Sequence, residues 1–223
     1  MTPRRSVLRA VVAPALLALA LAACSPGQAD PTHQTPIPPA DPGMPSPTGA
    51  GASPTAGAGN GDVTPESCNG TLGAVDVDEV NVPDGASCRL EGTSVGGNVF
   101  VRSGATLNVE EAIIDGNIQA QASREVNVRG STVGGNIQLE QGEMALITQT
   151  GVDGDIQLES QSGQLTFDGN DVNGNVQVNQ NSGGVNITGN YINGNLECQA
   201  NEPAPTGGEN DVEGSREDQC SGL

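Results

Sequence analysis

The chain has 223 residues, a formal net charge of −19, 32 Gly, 1% aromatic residues and no Trp. This composition excludes a compact core built on large side chains and favours small aliphatic residues packed in a repetitive frame. The acidity argues against nucleic acid as a partner, because phosphate backbones bind proteins through clustered Lys and Arg.

The N-terminal segment has the pattern of an export signal. Basic residues within the first nine positions precede an apolar run over 11–22, which leads into Leu21-Ala22-Ala23-Cys24. This ending resembles the bacterial lipoprotein signal, which is cut before the cysteine, whose thiol then takes a diacylglycerol. The resemblance implies a signal peptide over 1–23, lipidation of Cys24 and an anchor on the extracytoplasmic side of a membrane in the cell envelope. The Arg4-Arg5 pair also resembles a twin-arginine signal, and an ordinary secretory signal with an incidental Cys24 is the alternative.

Residues 24–66 are rich in Pro, Gly, Ser, Thr and Ala and hold almost no bulky apolar residue. Such a segment cannot offset the entropy of folding, so we predict a disordered linker. The only histidine, His33, lies in it, where it has no fixed neighbour for catalysis. Loss of residues 1–23 would remove three of the eight basic residues and leave a charge of 5 − 27 = −22 on the mature chain.

One short phrase recurs through residues 67–223, which we take as the folded domain. It reads VGGNVFV at 95–101 and VNGNVQV at 172–178. Its glycines are 19, 19, 19, 20 and 20 residues apart, at Gly97, Gly116, Gly135, Gly154, Gly174 and Gly194. A period that short predicts one turn of a solenoid. Because side chains alternate along a strand, we expect inward side chains two before, two after and four after each glycine, and in a second strand ten to thirteen residues after it.

The repeated aliphatic-x-Gly-Asn-aliphatic phrase resembles the right-handed parallel β-helix family, the architecture of pectate lyases and many bacterial surface proteins. Over about residues 75–220 the resemblance implies an all-β solenoid of about 6–8 coils with 19–20 residues each. A left-handed β-helix usually repeats hexapeptides, so the right hand is favoured. The segment 194–220 is also similar to the end of uncharacterised secreted bacterial repeat proteins. The fold hosts enzymes, adhesins and structural rods, so it implies architecture more than function.

Polar residues recur beside the glycines. The residue after each glycine is an amide or a carboxylate, at Asn98, Asn117, Asn136, Asp155, Asn175 and Asn195. Two positions further on, four coils place a glutamine, at Gln119, Gln138, Gln157 and Gln177. We expect these stacked side chains to hydrogen-bond along the solenoid axis and the glycines to take positive φ where the strand changes direction.

Four cysteines fall in pairs at the two ends of the domain. Cys68 precedes Cys88 by 20 residues, and Cys198 precedes Cys220 by 22. In an exported chain this pattern indicates disulfides, and the local pairs are our choice among three connectivities. A zinc site is the rival interpretation, but the domain lacks histidine and a CxxC spacing.

The chemistry of a site is weakly signalled. Pectate lyases hold Ca²⁺ with carboxylates and use a basic residue, whereas the five arginines of the mature chain do not line one face and no Ser-His-Asp constellation can form. We therefore predict no enzyme activity, no catalytic residue and no cofactor. Oxygen ligands suited to Ca²⁺ do gather around Gly154 and Gly174, and the weak metal candidates are Asp153, Asp155, Asp171, Asn173 and Asn175. A solvated acidic turn is the alternative.

These patterns lead to two expected functions. The first is a non-enzymatic cell-surface lipoprotein, a structural or interaction module that presents an acidic solenoid and meets the membrane through its lipid anchor. The second is a carbohydrate-binding or carbohydrate-active, polysaccharide-lyase-like β-helix, with or without Ca²⁺. Envelope polysaccharide or a surface protein is the expected partner.

Overall fold

The structure, a computed structural model, describes residues 66–223, and the signal peptide, the linker and Cys24 lie outside this range. The 25 strands form three parallel sheets. The first sheet contains Glu66–Ser67 (β1), Val80–Val82 (β4), Val99–Val101 (β7), Ile118–Gln121 (β10), Ile137–Glu140 (β13), Ile156–Glu159 (β16), Val176–Asn179 (β19), Leu196–Gln199 (β22) and Arg216–Asp218 (β25).

The second sheet has eight strands. They are Gly70–Leu72 (β2), Ser87–Glu91 (β5), Thr106–Glu110 (β8), Glu125–Arg129 (β11), Met144–Thr148 (β14), Leu165–Asp168 (β17), Val185–Thr188 (β20) and Thr206–Gly208 (β23). The third sheet also has eight, each of two residues: Asp76–Val77 (β3), Ser94–Val95 (β6), Ile113–Ile114 (β9), Thr132–Val133 (β12), Gly151–Val152 (β15), Asp171–Val172 (β18), Tyr191–Ile192 (β21) and Asp211–Val212 (β24).

Every coil contributes one strand to each sheet, and each strand pairs in parallel with its equivalents in the coils before and after it. The chain is therefore a parallel β-solenoid of about eight turns, as its repeats predict, and the right-handed coil stays a prediction. At about 4.8 Å per strand the rod is roughly 38 Å long. Residues 66–223 contain no helix, and so none that could cross a membrane.

Aliphatic columns fill the interior, and the predicted inward positions are confirmed. Ile118, Ile137 and Ile156 are fully buried in successive coils, as are Val128, Ile147 and Phe167 in the second sheet. The position two before each glycine, for example Val152, is also buried but belongs to the separate third sheet. The extra residue of the 20-residue coils lies in the turn before the second sheet, where a solenoid accommodates insertions.

At two corners, most coils place a polar side chain inside the rod, which the sequence patterns did not lead us to expect. A residue with positive φ, such as Gln180 or Gly189, turns the chain, and the next residue, Asn181 or Asn190, is buried. Asn181 Nδ2 donates to Asn201 Oδ1 at 2.9 Å and to the Leu158 carbonyl at 3.0 Å. These buried amides satisfy backbone groups that the turn leaves unpaired.

Disulfides close both ends of the rod. Cys68 is bonded to Cys88 and Cys198 to Cys220, which confirms the local pairing. All four cysteines are buried. Each bond joins the terminal coil to its single neighbour, so it holds the coils that have least support from stacking.

Candidate functional site

The glycine column is formed by close approach between coils, and our expectation of positive φ is wrong. None of Gly97, Gly116, Gly135, Gly154, Gly174 and Gly194 is among the positive-φ residues of the described chain. A Cβ on Gly174 would lie 2.5 Å from the Gly154 carbonyl oxygen, and the same contact recurs between Gly194 and Gly174. Glycine is needed there because a side chain would strike the backbone of the preceding coil.

The polar residue after each glycine forms the expected ladder, mainly through the backbone. The amide N–H of Asn136 donates to Asn117 Oδ1 at 2.7 Å, and that of Asp155 donates to Asn136 Oδ1 at 2.7 Å. The side-chain oxygen is the acceptor in each coil, so either Asn or Asp can occupy the position. The column therefore serves to close the turn between the third and first sheets.

The structure brings together four of the five metal candidates in two hydrogen-bonded pairs. Asn173 Nδ2 donates to Asp153 Oδ1 at 2.9 Å, and Asn175 Nδ2 donates to Asp155 Oδ1 at 3.1 Å. Asp171 lies on β18, outward on the third sheet. One oxygen of each of Asp153 and Asp155 is thus already engaged, and within residues 66–223 no group of three or more His, Cys, Asp and Glu is arranged to hold a metal ion. Ca²⁺ binding stays a prediction.

A shallow depression lies on the outer face of the first sheet. Phe100, Gln119 and Gln138 follow one another in register, and Arg102 lies over the Phe100 ring, with its guanidinium carbon 5.6 Å from the ring centroid. Arg102 Nε donates to Asn81 Oδ1 at 3.0 Å. The glutamine bonds along this face are long, 3.4 Å from Gln119 to Gln138, so the amides retain capacity for other partners. An aromatic ring, a guanidinium and amides together are chemistry that can bind a saccharide.

The outer face of the third sheet carries the one tyrosine of the chain among carboxylates. Tyr191 Oη lies 3.2 Å from Asn193 Oδ1 and donates to Glu213 Oε1 at 3.5 Å. The negative charge of Glu213, followed by desolvation and the charge of Asp211, raises the pKa of Tyr191 above its ordinary value of 10.0. This end of the rod therefore favours neutral or cationic groups over anions.

The arginines of the described chain lie in different environments. Arg89 bonds Glu110 at 2.7 Å and Glu91 at 3.5 Å, whereas Arg124 Nη2 donates to the Gly104 carbonyl at 2.9 Å. Arg216 Nη2 donates to the Asn210 carbonyl at 2.6 Å. They do not converge on one surface, in agreement with their spacing in the sequence.

The buried amide columns are the polar positions that sequence reasoning missed. Asn170, Asn190 and Asn210 recur at 20-residue intervals, as do Gln161, Asn181 and Asn201. A polar residue repeating after a turn residue was the available signal. Comparison with known proteins adds no function to this geometry: the chain matches no protein-family model, and neither a curated protein nor a solved structure is significantly similar to it.

Proposed function

We propose that the chain is a non-enzymatic, lipid-anchored cell-surface protein whose acidic solenoid is a structural or interaction module. The supporting observation is that the repeated polar columns are bonded to one another along the rod. The Asn117 to Asp155 ladder and the Asn181 to Asn201 pair both use their side chains to join adjacent coils. These recurring polar residues are thereby accounted for by the architecture, without a recurring ligand site.

The anchor rests on Leu21-Ala22-Ala23-Cys24, and the disulfides suit the oxidising space outside the cytoplasm. The experiment is metabolic labelling with a radioactive fatty acid, followed by membrane fractionation. We expect the chain to be labelled and to sediment with membranes, and Cys24→Ala to be unlabelled and soluble. Ser25→Ala is the matched control and should behave as the parent chain. Membrane retention of Cys24→Ala would contradict the proposal.

Carbohydrate binding is the second candidate, favoured by the Phe100, Arg102 and Gln119 depression. Calorimetric titration with purified envelope polysaccharide tests it, with Gln119→Ala as the site variant and Gln177→Ala as the control on the same column. Ca²⁺ dependence is tested separately by chelation and by Asp153→Ala. If Ca²⁺ alone at millimolar concentration releases no heat, the chain does not bind Ca²⁺. Polysaccharide binding in the depression is then tested by Gln119→Ala alone.

A further inference from the structure

The outer face of the second sheet differs from the rest of this acidic rod. Its central column runs through Arg89, Asn108, Asn127, Leu146, Thr166, Asn186 and Thr206. Over the seven strands of this column, β5 to β23, six outward side chains are charged, and their net charge is 2 − 4 = −2 in a chain of −19: Arg89, Glu91, Glu110, Glu125, Arg129 and Asp168. On this face two copies can approach each other with little repulsion.

An apolar centre lies on the same face. Met144 is 43% exposed and Leu146, two residues along β14, is half-buried. Asn127 precedes Leu146 in register and Thr166 follows it. Met144 follows Glu125 in register, so the apolar pair has uncharged and charged polar neighbours, as the core of a protein interface has in its rim.

Glu125 and Arg129 stand at opposite ends of β11 and both point outward. Four residues along a strand separate them by about 13 Å, so they cannot pair within one chain. Arg129 has no carboxylate within 4.0 Å among residues 66–223. Its register neighbour Glu110 is instead bonded to Arg89. Arg129 is therefore a cation without a carboxylate partner on a face that is otherwise nearly neutral.

We propose that a second copy of this chain docks on the second sheet, with the two rods parallel and related by a two-fold axis along the rod. This rotation keeps every coil at its own height and reverses the strand direction. Glu125 then faces Arg129 of the second copy, and Arg129 faces Glu125 of the second copy. At the next coil Leu146 meets its own equivalent. An antiparallel pair centred on β11 would instead set Glu125 against Glu125, which like charge disfavours.

The dimensions of the face predict a weak dimer. Five residues of strand span about 17 Å and seven strands about 29 Å, a footprint of roughly 500 Å² per copy. A stable interface buries about 800 Å² per partner. Arg89 does not oppose the contact, since Glu110 and Glu91 of its own chain neutralise it. The pairing of Glu125 with Arg129 does not depend on the lipid anchor. Failure of the dimer would therefore leave the proposed anchoring untouched, and failure of the anchoring would leave the dimer untouched.

Sedimentation velocity of the full chain over a range of high concentrations tests the dimer. Arg129→Glu and Glu125→Arg each place like charges across the axis, and each should weaken dimerisation at least tenfold. An equimolar mixture of the two variants should dimerise again, because the mixture restores both opposite-charge pairs. Arg216→Glu makes the same charge change in β25 of the first sheet and should dimerise as the parent chain does. A parent chain that stays monomeric, or a mixture that stays monomeric, would overturn the proposal.

A cross-link tests the position of the axis. Leu146→Cys should give a covalent dimer with a short bis-maleimide, since residue 146 faces its own equivalent at the axis across about 10 Å, the spacing of sheets packed face to face and too far for a disulfide. Gln157→Cys, which is half-buried on the outer face of the first sheet, is the matched control and should remain monomeric. Equal cross-linking of the two variants would show that contact is not confined to the second sheet and would overturn the arrangement.

Discussion

Asp155 Oδ1 accepts both the backbone N–H of Asn175, at 2.7 Å, and its side-chain Nδ2, at 3.1 Å. In the preceding coil Asn136 Oδ1 accepts from the backbone of Asp155 in the same way. The column thus needs an oxygen at a fixed position in every coil, and it tolerates either a charged or a neutral side chain. The stability of the rod at this corner should therefore depend on the presence of the side-chain oxygen, and much less on whether the side chain is charged.

Asp155→Ala should therefore destabilise the rod, whereas Asp155→Asn should not. Alanine leaves the Asn175 amide N–H without its acceptor, at a cost of about 1–3 kcal/mol. Asparagine keeps the oxygen, so we expect a change within about 0.5 kcal/mol. Urea unfolding of both variants measures the difference. Equal destabilisation by the two substitutions would show that the carboxylate charge matters.

Gly174→Ala should be among the most damaging small substitutions in the chain. Its Cβ would lie 2.5 Å from both the Gly154 carbonyl oxygen and Asp155 Oδ1, so the stacked coils must separate, and we expect a loss of about 3 kcal/mol or more. Gly151→Ala is the matched control, because a Cβ there meets nothing within 4 Å. That variant should be neutral or gain about 0.4–1 kcal/mol. Thermal unfolding of Gly174→Ala and Gly151→Ala measures the difference. Similar unfolding midpoints for the two variants would refute the steric explanation.

Gln161→Asn should stabilise the interior ladder. Gln161 is buried, and its Oε1 is the one buried side-chain polar atom of residues 66–223 without a hydrogen-bond partner. Asn181 and Asn201 at the equivalent corner accept a backbone N–H with Oδ1. The shorter amide should do the same and raise the free energy of unfolding by about 1 kcal/mol. The reverse change, Asn181→Gln, should lower it, and a gain from both changes would contradict the explanation.

Tyr191 should ionise at higher pH than a free tyrosine. The chain has one Tyr and no Trp, so its ultraviolet titration reports this residue alone. Because Glu213 is the largest cause of the raised pKa, Glu213→Gln should return the midpoint towards 10.0 further than Asp171→Asn does. The folded chain binds the proton more tightly than the unfolded chain, so this contribution to stability is present below pH 10 and is lost as the pH rises through the folded pKa. A midpoint unchanged by Glu213→Gln would exclude the electrostatic cause.

The solenoid was predictable from the spacing of its repeats, and the disulfides from the spacing of the cysteines together with the export signal. A shift of 19 residues takes Ile118 to Ile137, its partner in the next coil. Because side chains alternate along a strand, this repeat is enough to predict which residues face inward. The role of Gly174 was not predictable in the same way, because its conflict with the Gly154 carbonyl arises only when the coils are stacked. The burial of Asn190 was not predicted, because an asparagine after a glycine is typical of an exposed turn. Its hydrogen bond to the Phe167 carbonyl joins residues 23 apart in the sequence, so it becomes visible only in the folded rod.

The bond between Cys68 and Cys88 has a mechanical consequence. Any pull on the residues before Glu66 enters the domain through β1, which pairs with β4 over only two residues. Two positions after Glu66 the load reaches Cys68 and passes covalently to Cys88 in β5, so the intervening residues carry no tension. Extraction under force must then break the five-residue pairing of β5 with β8. Without the disulfide, force would separate the short strands of the first coil one at a time. The bond carries the force past this coil, which has the weakest strand pairing.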